Sequence, residues 1–252
     1  MRTTDLLAYL DDLFQFKRWA EMDGNASGLQ VARRGADVTH VAFAVDASLE
    51  AIEASAAAGA GMLVVHHGLF WGKERPLTGQ HFLRVAKLIE RDIALVGIHL
   101  PLDAHPEVGN NIGIMRCLGI AAPQPFGIYR GVAIGWKGLL PSPLALAEVA
   151  ARIGGGHAPL ALCDHRHAPV RSVGVVSGGA PDEARQAMAE GLDCYITGDA
   201  SHSVAIEAAE AALDLVFGGH YATETHGVRL LAERLGRDTG LAATLIDLPT
   251  GV

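Results

Sequence analysis

The sequence predicts an α/β protein with mixed, largely parallel sheets, and three observations carry that prediction. Short apolar runs alternate with stretches of helical period along the whole chain. Several runs stop abruptly at polar residues, as buried strands do at the rim of an open sheet. Glycine and proline punctuate the junctions. Half of the 252 residues are hydrophobic and 19% are charged, enough apolar material for one large domain or two modest ones.

Residues 4–20 place Leu6, Leu7, Leu10, Leu13 and Phe14 at helical spacing, with Thr3 or Thr4 as cap. The turn-rich loop Asp23-Gly24-Asn25-Ala26-Ser27-Gly28 follows, then a strand over 38–45 ending at Asp46 and a helix over 49–58. The run Leu63-Val64-Val65-His66-His67-Gly68 is led in by Gly59 and Gly61 and fits a buried strand over 61–67. Residues 70–80 read as a loop, 82–91 as a helix and 93–100 as a strand. That strand ends in a second polar tip, His99-Leu100-Pro101-Leu102-Asp103-Ala104-His105, and 111–118 is a helix.

Turn residues concentrate at Pro123-Gln124-Pro125, the expected domain boundary. Beyond it come a strand over 132–140, a helix over 144–153 closed by Gly154-Gly155-Gly156, a strand over 170–176 and a helix over 181–190. A strand over 194–197, a helix over 202–212, a strand over 215–217, a long helix over 221–235 and a strand over 243–248 complete the series.

The formal net charge is −8 and no Lys/Arg run occurs, which disfavours nucleic-acid binding and polybasic membrane attachment. Cys117, Cys163 and Cys194 are odd in number and far apart, against a disulfide framework or a Cys-rich zinc site. No signal peptide or membrane-spanning run is evident, so a soluble cytoplasmic protein is expected. Gly154-Gly155-Gly156 lacks the Lys-Ser/Thr of a phosphate loop, and Ser177-Gly178-Gly179 is not a nucleophile elbow.

The histidines carry the main functional signal. His66 and His67, His99 and His105, His202, and His220 and His226 all fall at expected strand ends or just beyond them. Neutral imidazole suits zinc, iron, nickel and copper. For His66 and His67 the plainer alternative is one hydrogen-bonded core residue and one facing solvent. Asp103 is either a carboxylate able to bridge two ions or a turn residue; Asn110 and Asn111 read as caps of the next helix. In Gly218-Gly219-His220-Tyr221-Ala222-Thr223-Glu224, His220 and Glu224 are four apart at a helix start and share a face. His66, His67, Asp103, His220 and Glu224 together exceed one four-coordinate site with an open position and suit two adjacent divalent ions. His202 and His99 are candidate proton carriers, and Asp46 is ambiguous.

The chain resembles the NIF-three-like family of dinuclear-metal proteins, whose bacterial members are often catalogued as GTP cyclohydrolase I type 2 homologues. The resemblance rests on Ser27-Gly28-Leu29-Gln30-Val31, His66-His67-Gly68-Leu69-Phe70-Trp71, Gly97-Ile98-His99-Leu100-Pro101-Leu102-Asp103, Ile196-Thr197-Gly198-Asp199 and Gly219-His220-Tyr221-Ala222-Thr223-Glu224. It implies the metal ligands His66, His67, Asp103, His220 and Glu224. It implies two interlinked α/β domains, here residues 1–125 plus 216–252 for the metal-binding domain and 126–215 for the second. It also implies a ring-shaped homohexamer.

Two readings of function follow. The first is a hydrolase using two divalent ions (zinc, iron, manganese, cobalt or nickel) on a small molecule, such as a nucleotide opened in a cyclohydrolase reaction. The second is a non-catalytic metal-binding assembly for storage, delivery or regulation.

Overall fold

A computed structural model of the chain describes residues 1–73 and 75–252. It contains two compact units, Met1–Leu102 with Val228–Leu248, and Asp103–Gly227 with Pro249–Val252.

Two helices, α1 (Thr3–Phe14) and α2 (Phe16–Trp19), stand where one was expected. Gln15 breaks the run at φ 51°, and the Asp11 carboxylate accepts the Phe16 N–H at 3.1 Å, which restarts the chain. The chain continues through β1 (Gly28–Val31), β2 (His40–Asp46), α3 (Leu49–Ala57), β3 (Met62–His67), α4 (Gly79–Glu90) and β4 (Ala94–Gly97). Ser48 caps α3 by accepting the Ala51 N–H. The short helix α5 (Leu100–Ala104) contains the boundary between the units.

The second unit begins with α6 (Asn110–Cys117), β5 (Gln124–Tyr129), β6 (Val132–Leu144), α7 (Leu146–Ile153), β7 (Ala161–Cys163) and β8 (Val170–Val175). A 3-10 turn at Pro181–Glu183 leads into α8 (Ala184–Glu190), followed by β9 (Cys194–Thr197), α9 (His202–Glu210) and β10 (Asp214–Phe217). The long helix α10 (His220–Thr239) begins in the second unit and ends in the first, to which β11 (Ala242–Leu245) also belongs.

The sheet of the first unit has five strands in the order β1-β4-β3-β2-β11. All neighbours are parallel except β1, which runs antiparallel to β4. β3 is the middle strand. Met62, Leu63, Val64 and Val65 are all buried, which explains why this strand is continuously apolar instead of alternating. Leu63, Val65, Ala42, Ala44 and Leu95 pack with Ile52 of α3 and Leu88 of α4.

The sheet of the second unit has six strands in the order β5-β6-β8-β9-β10-β7. β8, β9 and β10 are parallel; the other pairings are antiparallel. Its core joins Ile114 and Met115 of α6, Leu118 just beyond it, and Val149 and Ile153 of α7 to Val173, Val175, Ile196 and Val216 of the strands. Both sheets are therefore mixed, and the α/β class holds.

Some elements differ from expectation for physical reasons. The stretch around Pro123-Gln124-Pro125 runs into the edge strand β5, where Pro125 is tolerated because an edge does not need every N–H. β6 runs on to Leu144 through Pro141 and Pro143, with a break in register between Leu139 and Leu144. β1 and β7 are four and three residues long, too short to show a period. Among the described residues, no helix is long and apolar enough to cross a membrane.

Candidate metal centre

In the first unit the site grows from the carboxyl ends of three adjacent strands. β3 delivers His66 and His67, β2 ends beside it at Asp46, which pairs with His67 in register, and β4 leads into Ile98 and His99. His66 is fully buried. Its Nδ1 lies 2.9 Å from the Ile98 carbonyl oxygen, to which it donates. His67 Nδ1 lies 2.9 Å from Asp46 Oδ1, and His99 Nδ1 lies 2.7 Å from Asp23 Oδ1. The three rings cluster with centroids 4.6, 5.1 and 5.7 Å apart, and one nitrogen of each lies within 4.8 Å of the others. Trp71 packs edge-on to His99 at 4.9 Å and 5.8 Å from His67, its indole N–H held by the Gly68 carbonyl at 2.8 Å.

The loop before β1 supports this cluster. Asp23 is buried and accepts from Asn25 N–H at 2.9 Å, Ser27 Oγ at 3.1 Å and Leu100 N–H at 3.1 Å besides His99. Burial pushes the Asp23 carboxyl up, but the hydrogen bonds, that of His99 foremost, outweigh it and hold the group below its ordinary range. Gln30 donates to Asn25 Oδ1 and the Ala26 carbonyl and accepts the Leu69 N–H. Its amide fills the space where a Cβ on Gly68 or Gly97 would fall, at 2.2 and 2.7 Å. The motif Ser27-Gly28-Leu29-Gln30 is thus a brace for the histidine-bearing strand ends.

The second unit gathers the carboxylates. Asp103 and Glu224 are 6% and 3% exposed, and an oxygen of one lies within 4.8 Å of an oxygen of the other. Asp103 Oδ1 accepts from Asn110 Nδ2 at 2.9 Å and from Ser177 Oγ at 3.1 Å. Asn111 donates to the Asp103 and Ile134 carbonyls and accepts the Ser177 N–H at 2.7 Å. Asn110 and Asn111 are therefore buried struts for Asp103, and Gly109 occupies the cap position of α6.

His220 opens α10 and is held from both sides. Nδ1 lies 2.9 Å from Asp199 Oδ1, and Nε2 lies 3.3 Å from Glu224 Oε1. The Glu224 hydrogen bond, outweighing burial, pushes the imidazole up to about 9. Gly178, at φ +65°, makes room: a Cβ there would sit 2.0 Å from Glu224 Oε1 and 3.3 Å from His220 Nε2. The Gly178 carbonyl accepts the N–H of Gly198 and Asp199 and the Thr197 hydroxyl, while its N–H donates to Thr223 Oγ1. Ser177-Gly178-Gly179 and Thr197-Gly198-Asp199 form one backbone cradle around the start of α10.

The donor set fits divalent cations. Two buried carboxylates this close repel unless a proton or cation lies between them. The imidazoles each turn Nδ1 to an oxygen, so Nε2 is the nitrogen that would face an ion. His66, His67 and His99 come together in the first unit, and in the second Glu224 lies beside Asp103 and beside His220. His202 is the first residue of α9 and exposed; among the described residues no hydrogen bond brings it to His220 or Glu224. His105 accepts the N–H groups of Glu107 and Val108 through Nδ1, a turn contact. Asp23, Asn110, Asn111, Ser177 and Asp199 gain their place only through the fold.

Fold and donor set define a two-unit α/β protein whose His, Asp and Glu groups could hold a metal ion. The description Duf34/NIF3 (NGG1p interacting factor 3) matches residues 1–250. A GTP cyclohydrolase 1 type 2 homolog of Treponema pallidum is 40% identical over 286 aligned positions that cover 100% of both chains. One from Deinococcus radiodurans is 40% identical over 91% of this chain and 88% of its own. The crystal structure of TTHA1606 from Thermus thermophilus superposes with a TM-score of 0.91 at 35% identity, covering 100% of each chain. The chain belongs to the Duf34/NIF3 family.

Proposed function

We propose that the protein is a metal-dependent hydrolase in which His66, His67, Asp103, His220 and Glu224 hold two divalent ions. The observation that carries this reading is the shared orientation of the imidazoles. His66 turns Nδ1 to the Ile98 carbonyl, His67 to Asp46 and His220 to Asp199, the outer support that ligating histidines require. When bound, paired ions supply Lewis acidity and make water a nucleophile near neutral pH. Asp103 and Glu224 contribute the negative charge that offsets two cations. Asn110 and Ser177 fix Asp103, and Gly178 leaves space for Glu224 to lie against His220.

Trp71 presents an indole beside His67 and His99, a surface suited to a planar heterocycle. With the names carried by the relatives, this favours a nucleotide as substrate and a ring-opening hydrolysis as the reaction. Protein purified without added metal is expected to carry close to two of zinc, iron, manganese, cobalt or nickel per chain and to turn over a member of a nucleotide and cyclic-amide panel. Less than one ion per chain at neutral pH, with added zinc also rejected, overturns the reading. Fully loaded protein that exchanges its metal rapidly and turns over nothing favours a storage or delivery role. A homohexameric ring is part of the same proposal, supported by the exposed apolar residues Phe82, Leu83 and Ile89 of α4. A monomeric mass by light scattering would rule it out.

A further inference from the structure

We infer that His99 is a metal ligand, a third imidazole that makes with His66 and His67 a three-nitrogen face in the first unit, and that Asp23 is its positioning residue. The inference rests on the reading above that the protein holds divalent ions.

Three observations support it. First, one ring nitrogen from each of His66, His67 and His99 lies within 4.8 Å of the other two. Each ring has its Nδ1 committed outward, to Ile98 O, Asp46 and Asp23 respectively, so Nε2 is the nitrogen that can reach a common ion.

Second, the carboxylate behind His99 is built in rather than incidental. The Asp23 side chain has no solvent exposure, and it accepts hydrogen bonds from Asn25, Ser27, Leu100 and His99. A buried carboxylate behind an imidazole fixes its tautomer and raises its basicity, as in carboxylate–histidine–metal groupings. Third, the same loop holds the His99 backbone, whose N–H donates to Ser27 Oγ at 3.3 Å. Ring and main chain are thus located independently by one brace.

Three neutral nitrogens select borderline ions such as zinc, iron, cobalt or nickel over magnesium or calcium. His99 then serves as a ligand in place of the proton-carrying role expected from the sequence.

The test uses the full chain, stripped of metal and titrated with zinc, and reads long-range proton–nitrogen spectra of the imidazoles. His99 Nε2 is expected to shift together with the Nε2 atoms of His66 and His67, with Nδ1 of His99 protonated throughout. In parallel, a competing zinc indicator measures affinity. His99→Gln is expected to weaken binding at least about tenfold, and Asp23→Asn by roughly 10–100-fold. If His66 and His67 shift while His99 Nε2 stays still, and His99→Gln binds as tightly as the parent, His99 is no ligand and the hydrolase reading is untouched. If none of the three rings responds and no zinc binds, both readings fall. Should His99→Gln not fold, the spectra of the unaltered chain decide alone.

Discussion

His99 Nδ1 meets Asp23 Oδ1 at 2.7 Å across 76 residues of sequence, with the carboxylate sealed from solvent. This contact ties the loop before β1 to the end of β4, so it bears on stability as well as on the site. The folded-state value of Asp23 lies below its ordinary 3.8. A depressed carboxyl contributes stability that is present above its unfolded value and lost as pH falls through the folded one. Metal-free protein is therefore expected to lose urea resistance as pH drops below about 4. Asp23→Asn, less stable at neutral pH, should show a shallower acid slope; an unchanged slope would remove Asp23 from the account.

His220 sets the opposite limit. Its imidazole is raised from 6.5 to about 9, with the Glu224 hydrogen bond as the largest cause. A raised histidine contributes fully below its unfolded value, and the contribution is lost as pH rises through the folded one. Chelator-treated protein should lower its Tm between pH 6.5 and 9, and His220→Asn should flatten that decline. In loaded protein the cation replaces the proton, so metal affinity should rise over the same interval. Thermal melts and competition titrations at stepped pH check both directions.

Gly178→Ala places a methyl where Glu224 already lies, at φ +65°. Gly191 has nearly the same φ, +67°, with nothing within 4 Å of a built Cβ. Gly191→Ala should cost about 1 kcal/mol, the backbone term alone. Gly178→Ala should cost about 2 kcal/mol more through overpacking, and should reduce bound metal. Equal costs for the two variants, by urea unfolding, would show that Gly178 has no special fit to Glu224.

Asn111 joins the Asp103 carbonyl, the Ile134 carbonyl and the Ser177 N–H in one buried arrangement. Asn111→Ala leaves these groups without that partner and should destabilise by about 3 kcal/mol. Because Ser177 also donates to Asp103, metal retention should fall with it. A loss under about 1 kcal/mol, within the range of ordinary surface changes, would mean that the strut is dispensable.

The α/β class was legible because β3, β4 and β10 are apolar runs bounded by turns and polar tips. His220 and Glu224 were legible because their spacing is a helical turn, and Asp103 because it closes a polar strand end. Asp23, Asn111 and Ser177 left no such trace. Asp23 meets His99 from 76 positions away, and Ser177 meets Asn111 and Asp103 from 66 and 74, so no local period encodes them. Ser27-Gly28-Leu29-Gln30 was visible as a motif, but its bracing of Gly68 and Gly97 depends on three strand ends coming side by side. β1 and β5 escaped because an edge strand four residues long, or one holding Pro125, lacks the pattern that marks a central strand.

β11 pairs in parallel with β2, Ala243 beside Val41 and Thr244 beside Ala42, and so covers one side of β2 with residues 202 positions further along the chain. Until those residues are made, β2 has a backbone rim open to foreign strands. A nascent chain would therefore be open to foreign pairing over that interval, and chaperones that shield such rims would act on it then.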